Sequence, residues 1–342
     1  MLENAARTAL SAWAIEPVGV ETLTGGLINA TFLVTTQDAR FVLQRLHPIF
    51  SGEVNEDIEV ITTHLAQRGL VTPRLVRTRS RALWASLPDG AWRMQTFIEG
   101  TSVQRVDSPH RAEAAGALVG RFHAALADLR HDFQFKRAGV HDTAHHFALL
   151  DVAVASHTEH ALYDRIAHLR DELRAALATQ PSIANALLPT RITHGDLKIS
   201  NLMFDASGQG VCLVDLDTVG EMPLPFELGD AWRSWCNPIG EDASETRFDC
   251  ALFDASWRGY ARGMDALITP EERERLIPSI LTICLELSAR FARDVLEDRY
   301  FGWDARLFPS RAAHNLVRAE GQASLYRSLA SQRAEAERAI AC

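Results

Sequence analysis

The sequence predicts an α+β protein of two lobes: a small antiparallel β-sheet lobe over residues 1–98 and a larger, mainly helical lobe over residues 99–342. Three observations carry that expectation. At 342 residues the chain exceeds what a single hydrophobic core usually serves. Short β-branched and aromatic runs crowd its first third, and long stretches of helical period fill the rest. Between the two, Glu99-Gly100-Thr101-Ser102 is a polar break with a glycine, the predicted link.

Residues 3–14 read as a short helix that ends before Pro17. Val18 to Leu23, Thr31 to Thr36 and Arg40 to Leu46 then read as three strands of a meander. The apolar positions 54, 58, 61 and 65 recur as a helix requires, which predicts one over residues 53–68. Residues 74–77, 81–85 and 91–98 supply two or three more strands, for a five-stranded sheet with one helix. Ser108 followed by Pro109 is an N-cap signature and starts a helix over 108–129, with Leu118, Phe122, Leu126 and Leu129 on one face. Helices follow at 141–156 and 159–179, then from Glu227, and at about 244–265, 270–298 and 310–338. The last turns polar from Ser331, which predicts a solvated end.

The composition, 47% hydrophobic and 23% charged, is that of an ordinary globular protein. A net charge of −9 disfavours sequence-independent binding to nucleic acid or to an anionic membrane. No apolar run approaches the ~20 residues that span a bilayer. Five scattered cysteines without a C-x-x-C pair argue against a zinc site or a disulfide framework. With no signal peptide at the N-terminus, a cytoplasmic protein with reduced thiols is expected.

The most informative stretch runs from Ile192 to Asp217. An apolar run ends in the polar loop His194-Gly195-Asp196-Leu197-Lys198-Ile199-Ser200-Asn201, and a second apolar run then delivers Asp215 and Asp217. Phosphoryl transfer asks for one carboxylate to orient the attacking hydroxyl and for an Asn and an Asp to hold metal ions. Asp196 fits the first demand, and Asn201 with Asp215 the second. Period-2 alternation would set Asp215 and Asp217 on one strand face, so Asp217 is either a further metal or substrate contact or a turn-capping carboxylate. Gly25 and Gly26, between the first two strands, form either a phosphate-cradling loop or a plain hairpin turn.

His194 through Asn201 stands where protein kinases carry H-R-D followed by four residues and N, with Gly195 in place of the arginine. In that respect the chain resembles the aminoglycoside phosphotransferase-like small-molecule kinases, whose fold is protein-kinase-like, from Gly25-Gly26 to Phe301. Leu216-Asp217-Thr218-Val219, Leu228 to Arg233 and Arg290 to Phe301 look most like the N-acetylhexosamine 1-kinases. The resemblance implies ATP and Mg²⁺ as cofactors and phosphorylation of a sugar, at the anomeric hydroxyl of an N-acetylhexosamine. It makes Asp196 the catalytic base and Asn201, Asp215 and Asp217 the metal side. The nucleotide contacts it implies are Gly25, Gly26, Asn29, a basic residue such as Arg45, and Gln95 with Phe97 at the hinge. Asp230, Arg233, Arg293 and Asp294 become sugar contacts. The alternatives are a kinase of another small alcohol (an aminoglycoside, choline, ethanolamine or homoserine) or a catalytically silent nucleotide-binding module.

The third strand departs from the kinase pattern. Aligning Phe41-Val42-Leu43-Gln44 with V-A-I-K puts Gln44 where a phosphate-binding lysine belongs. Either Arg45 takes that task in a shifted register or another basic residue does. Glu53, Glu56 and Glu59 are the candidates for the helix carboxylate that would pair with it. Asp230 and Arg233 could prop the catalytic loop or form a plain i,i+3 pair. The oligomeric state is not written in the sequence.

Overall fold

A computed structural model of the chain describes residues 2–23, 29–136, 139–181, 188–264 and 266–341. Helix α1 (Leu2–Ala9) and a 3₁₀ turn precede β1 (Gly19–Thr22), β2 (Ala30–Thr35) and β3 (Arg40–Arg45). Helix α2 (Val54–Gln67), β4 (Ala85–Leu87) and β5 (Gly90–Thr96) follow. The five strands form one antiparallel sheet in the order β1-β2-β3-β5-β4. Trp13, Phe32, Val34, Leu43, Trp92 and Met94 are buried together on one face of it. Strand alternation therefore turns Thr31, Gln44 and Arg93, which are register neighbours across three strands, to the other face.

The expected strand at 74–77 is reduced to a single bridge between Leu75 and Gln95, and residues 81–84 are not a strand. Arg74 to Val76 still runs along β5, exchanging Thr96 N–H to Arg74 O and Val76 N–H to Met94 O at 2.9 and 2.8 Å. Arg81, at φ 66°, sits in a turn instead.

The larger lobe contains α3 (Pro109–Leu126), α4 (Thr143–Ser156), α5 (Tyr163–Ala178), α6 (Leu224–Trp235), α7 (Cys250–Met264), α8 (Pro270–Glu297), α9 (Arg311–Ser331) and α10 (Arg333–Ala341). Two short ladders pair β6 (Arg191–Thr193) with β9 (Gly220–Met222) and β7 (Leu202–Phe204) with β8 (Gly210–Leu213). Ser108 caps α3 as its spacing predicts, its hydroxyl accepting from the Arg111 N–H. Helix α7 starts later than expected because Asp249 accepts from the N–H groups of Ala251 and Leu252. The last predicted helix is two, broken at Gln332, and its polar end is not fully solvated: Ala336 and Ile340 are buried in the main core. No helix among the described residues is long and apolar enough to cross a membrane.

Candidate active site

Strand β6 delivers the loop that begins at His194. Its first two N–H groups, of His194 and Gly195, donate to the two oxygens of Glu227 from α6 at 3.0 and 3.2 Å. Glu227 is fully buried, which opposes its ionisation. The His123 imidazole at 3.9 Å, the His194 ring and the backbone donor outweigh burial and hold its carboxyl below the usual value. The prop under the loop is thus Glu227, and not the Asp230–Arg233 pair one turn further on. Trp235 adds a second brace, its indole N–H donating to Leu197 O at 2.8 Å.

The His194 ring meets Val214 O through Nε2 at 2.9 Å and the Asp196 N–H through Nδ1 at 3.3 Å. A carbonyl can only accept and an amide N–H only donate, so these partners select the tautomer with hydrogen on Nε2. Gly195 is at φ 80°, and a Cβ there would stand well inside contact with the Thr218 carbonyl oxygen. Only glycine satisfies both conditions, which is the physical reason that an arginine is absent.

Asp196 Oδ2 lies 2.8 Å from Lys198 Nζ. Burial would lower the lysine's pKa, but the carboxylates of Asp196, Asp215 and Asp230 raise it above its ordinary value. The Asn201 amide donates to Asp196 O at 2.9 Å, which leaves its Oδ1 for another partner. Strand β8 ends at Leu213, and Asp215 turns into the left-handed region at φ 63°, so the expected common strand face for Asp215 and Asp217 does not exist. Asp215 keeps solvent-exposed surface, but the protein packed around its carboxyl and the neighbouring Asp217 push that carboxyl above the ordinary value despite Arg93. A carboxyl crowded by others beside a free amide oxygen fits a small divalent cation. Among the described residues no group of three or more His, Cys, Asp or Glu could hold one unaided, so nucleotide oxygens and water would complete the shell.

Asp217 is engaged elsewhere. It pairs with the Arg93 guanidinium, and its other oxygen accepts from Asn29 Nδ2 at 2.6 Å. Asn29 Oδ1 in turn accepts from the His47 N–H at 2.9 Å, so both ends of that side chain are taken by protein rather than offered to a nucleotide. Arg45 turns the other way, 3.5 Å from Asp89, and does not supply the missing cation. Arg93, from β5, is the cation beside Gln44. None of the proposed α2 carboxylates meets it: Glu53 and Glu56 are exposed, and Glu59 binds Arg77 at 3.0 Å. The buried carboxylate of α2 is Asp57, which accepts from His131 and from the N–H groups of Gln134 and Phe135, tying the helix to the segment after α3. Its signal in the sequence was an acid on the apolar face of an amphipathic helix.

Gly25 and Gly26 lie outside the described residues. Gln95 is buried within β5, opposite Val42. Phe97 donates its N–H to Arg40 O at 3.3 Å, and the Arg40 guanidinium stacks 4.3 Å from its ring while pairing with Glu99, which pins the expected hinge to β3.

On the helical side, Arg233 binds Asp230 at 2.8 Å and Glu241 at 3.0 Å. Burial opposes ionisation of Asp230, but Arg233, His141 and Arg290 keep it below its ordinary value. Glu286, fully buried on α8, accepts from Thr143 Oγ1 at 2.7 Å and stands 3.2 Å from His141 Nδ1. Arg293 lines a cavity with His146, Arg290, Glu297, Tyr300 and Phe301 and pairs with Glu297 at 2.8 Å. Its neighbour Asp294 is no free contact. It accepts from the N–H groups of Arg299, Tyr300 and Phe301 and from Asn315.

Residues 19–267 match the phosphotransferase enzyme family, APH. A homoserine kinase of Xanthobacter autotrophicus is 29% identical over 216 residues, 62% of this chain and 62% of the relative, so the chain spans less than two thirds of that relative's length. An aminoglycoside phosphotransferase from Alicyclobacillus acidocaldarius superposes with a TM-score of 0.66 at 16% identity, over 97% of this chain and 96% of that one. Amicoumacin kinase hAmiN, solved with AMP-PNP, Ca²⁺ and Ami, does so with a TM-score of 0.62 at 16% identity, over 93% and 91%. At these identities the likeness speaks for the fold, which is the two-lobed kinase-like α+β arrangement.

Proposed function

Since the chain belongs to the phosphotransferase enzyme family and is a small-molecule phosphotransferase on that footing, we propose that it transfers the γ-phosphate of ATP to the anomeric hydroxyl of an N-acetylhexosamine. The observation that carries the phosphoryl-transfer reading is the pairing of Asp196 with Lys198 on the loop whose Asn201 leaves an amide oxygen free near Asp215. ATP binds between a lobe of residues 1–98 and one of residues 99–342, with its phosphates under Gly25 and Gly26 and its base at Gln95 to Phe97. Asn201 and Asp215 hold Mg²⁺, which supplies neutralisation of charge on the phosphates. Asp196 orients the acceptor hydroxyl and takes its proton late, because a loose transition state needs little activation of the nucleophile. Lys198 offsets negative charge on the transferred group. The enzyme works in the cytoplasm, in keeping with the four described cysteines, all buried and free.

The sugar assignment is supported by the resemblance around Leu216 to Val219 and Arg290 to Phe301. A second reading, an amino alcohol such as homoserine, is favoured by the curated relative and by the mixture of acids and arginines at Asp230, Arg233, Glu286 and Arg290. That mixture can meet an ammonium and a carboxylate as readily as sugar hydroxyls. The test is an ATP-consumption screen over amino sugars, neutral sugars, aminoglycosides and amino alcohols, with Mg²⁺ present or chelated. Turnover of GlcNAc or GalNAc supports the proposal. Turnover of homoserine with no sugar turned over replaces it by the second reading.

A further inference from the structure

We propose that Arg93 is the positioning residue that stands in for the absent third-strand lysine, acting from the neighbouring strand by holding Asp217 and, through it, the turn that carries Asp215. The inference rests on the phosphotransferase reading above.

Gln44 and Arg93 are register partners across β3 and β5, on the sheet face opposite the Leu43–Met94 core. Gln44 Nε2 donates to Thr31 Oγ1 at 3.2 Å, which aims Oε1 at Arg93. That oxygen accepts from Arg93 Nε at 2.9 Å and from Nη2 at 2.7 Å. The guanidinium is thereby fixed in plane, and its Nη1 meets Asp217 Oδ1. Both side chains are almost completely enclosed, at 1% and 2% exposure, so each charge depends on the other. A lysine at position 44 would bring the cation directly. Here glutamine serves as a rest for a longer cation from the next strand.

The consequence lies across the cleft. Asn29 and Arg93, both from the sheet lobe, occupy both oxygens of Asp217, so Asp217 is bound to the sheet and Asp215 is left as the carboxylate that would hold a metal. Asp217 is the middle residue of the 3₁₀ turn of residues 216–218, whose last member donates through Thr218 Oγ1 to His194 O at 2.9 Å. A line of polar contacts therefore runs from Thr31 through Gln44 and Arg93 to Asp217, and the next residue in the chain, Thr218, carries it on to His194 of the loop. In this arrangement the sheet is tied to the metal-bearing turn directly, without a carboxylate from α2.

The test compares Arg93→Gln, Gln44→Lys, the double swap Gln44→Lys with Arg93→Gln, and Arg93→Lys. Four quantities are read: kcat, KM for ATP, the Mg²⁺ concentration for half-maximal binding of a non-hydrolysable ATP analogue by calorimetry, and Tm. Arg93→Gln is expected to lower kcat by ~100-fold, as a misplacement of about 1 Å does, and to raise the Mg²⁺ requirement severalfold. The swap returns the cation to the third strand and is expected to recover at least ~10-fold of kcat, a coupling that two independent structural losses would not give. If Arg93→Gln does not fold, Arg93→Lys replaces it, with a smaller loss of the same kind. The inference is overturned if the soluble variant keeps the wild-type Mg²⁺ requirement and kcat within about twofold, or if the swap is no better than Arg93→Gln. The binding readout separates this failure from failure of the functional reading, which would appear as a wild-type protein that binds the nucleotide but phosphorylates no acceptor.

Discussion

Replacing Gly195 by alanine strikes the point where the His194–Asn201 loop and the 216–218 turn touch. The backbone there is at φ 80°, and forcing an L-residue into that region costs about 1–2 kcal/mol. The added Cβ would lie 3.1 Å from the Thr218 carbonyl carbon and 3.2 Å from its Cβ, and closer still to the carbonyl oxygen. Ordinary carbon contacts sit near 3.5–4.0 Å, so the two segments must part by roughly 0.5–1 Å. That movement breaks the 2.9 Å bond from Thr218 Oγ1 to His194 O, worth about 1 kcal/mol. The sum is roughly 2–3 kcal/mol of stability, and a shift of this size at the reacting groups costs ~100-fold in kcat. Gly69→Ala is the control: its φ is 77° with nothing within 4 Å of the added Cβ, so it bears only the backbone cost. Steady-state ATP turnover and thermal unfolding of both variants decide the matter. Equal Tm losses in the two, with kcat of Gly195→Ala within threefold of wild type, would refute the reasoning.

Glu227→Gln removes one of the two acceptors under the loop and turns an amide donor toward a backbone N–H. A cost of about 1–3 kcal/mol and a fall in kcat of at least tenfold are expected, with ATP affinity preserved in calorimetry; unchanged kcat would contradict the bracing role. The His141–Glu286 contact gives a pH dependence with a definite sign. Burial alone would lower the His141 pKa, but the Glu286 bond and charge raise it above 6.5, while they and Thr143 hold Glu286 below 4.5 against its burial. The histidine's contribution is full below pH 6.5 and is lost as pH rises through its raised value. The glutamate's is present above pH 4.5 and is lost as pH falls through its lowered one. The Tm difference between wild type and His141→Asn, a residue that tolerates the φ of 58°, should therefore shrink from pH 6 to pH 9, and a flat difference would contradict the assignment.

Much of the architecture was legible because it is local. The Ser108-Pro109 cap, the 3.6-residue period of α2 and the first three strands needed only neighbours a few residues away. The polar loop was legible for the same reason, since its residues lie within one short segment. What escaped the sequence depends on contacts between distant segments. Arg93 is 49 residues from Gln44, and only the strand register brings them together. Between the two alternatives, Arg45 or another basic residue, the sequence does not choose; adjacency in a strand means opposite faces, and Arg45 turns to Asp89. Asp215 and Asp217 read as strand residues until the left-handed turn at Asp215 separated their directions. Glu227 had no motif around it, and its role follows from where α6 packs.

The central claim is that Asp196 orients and deprotonates the acceptor hydroxyl without holding the nucleotide. Its most direct test is Asp196→Ala, with kcat measured in the acceptor screen and ATP·Mg²⁺ affinity measured by calorimetry on the same preparation. The account predicts a loss of roughly 10²–10⁴-fold in kcat with ATP affinity within a few fold of wild type. Near-normal turnover by the folded variant would contradict it.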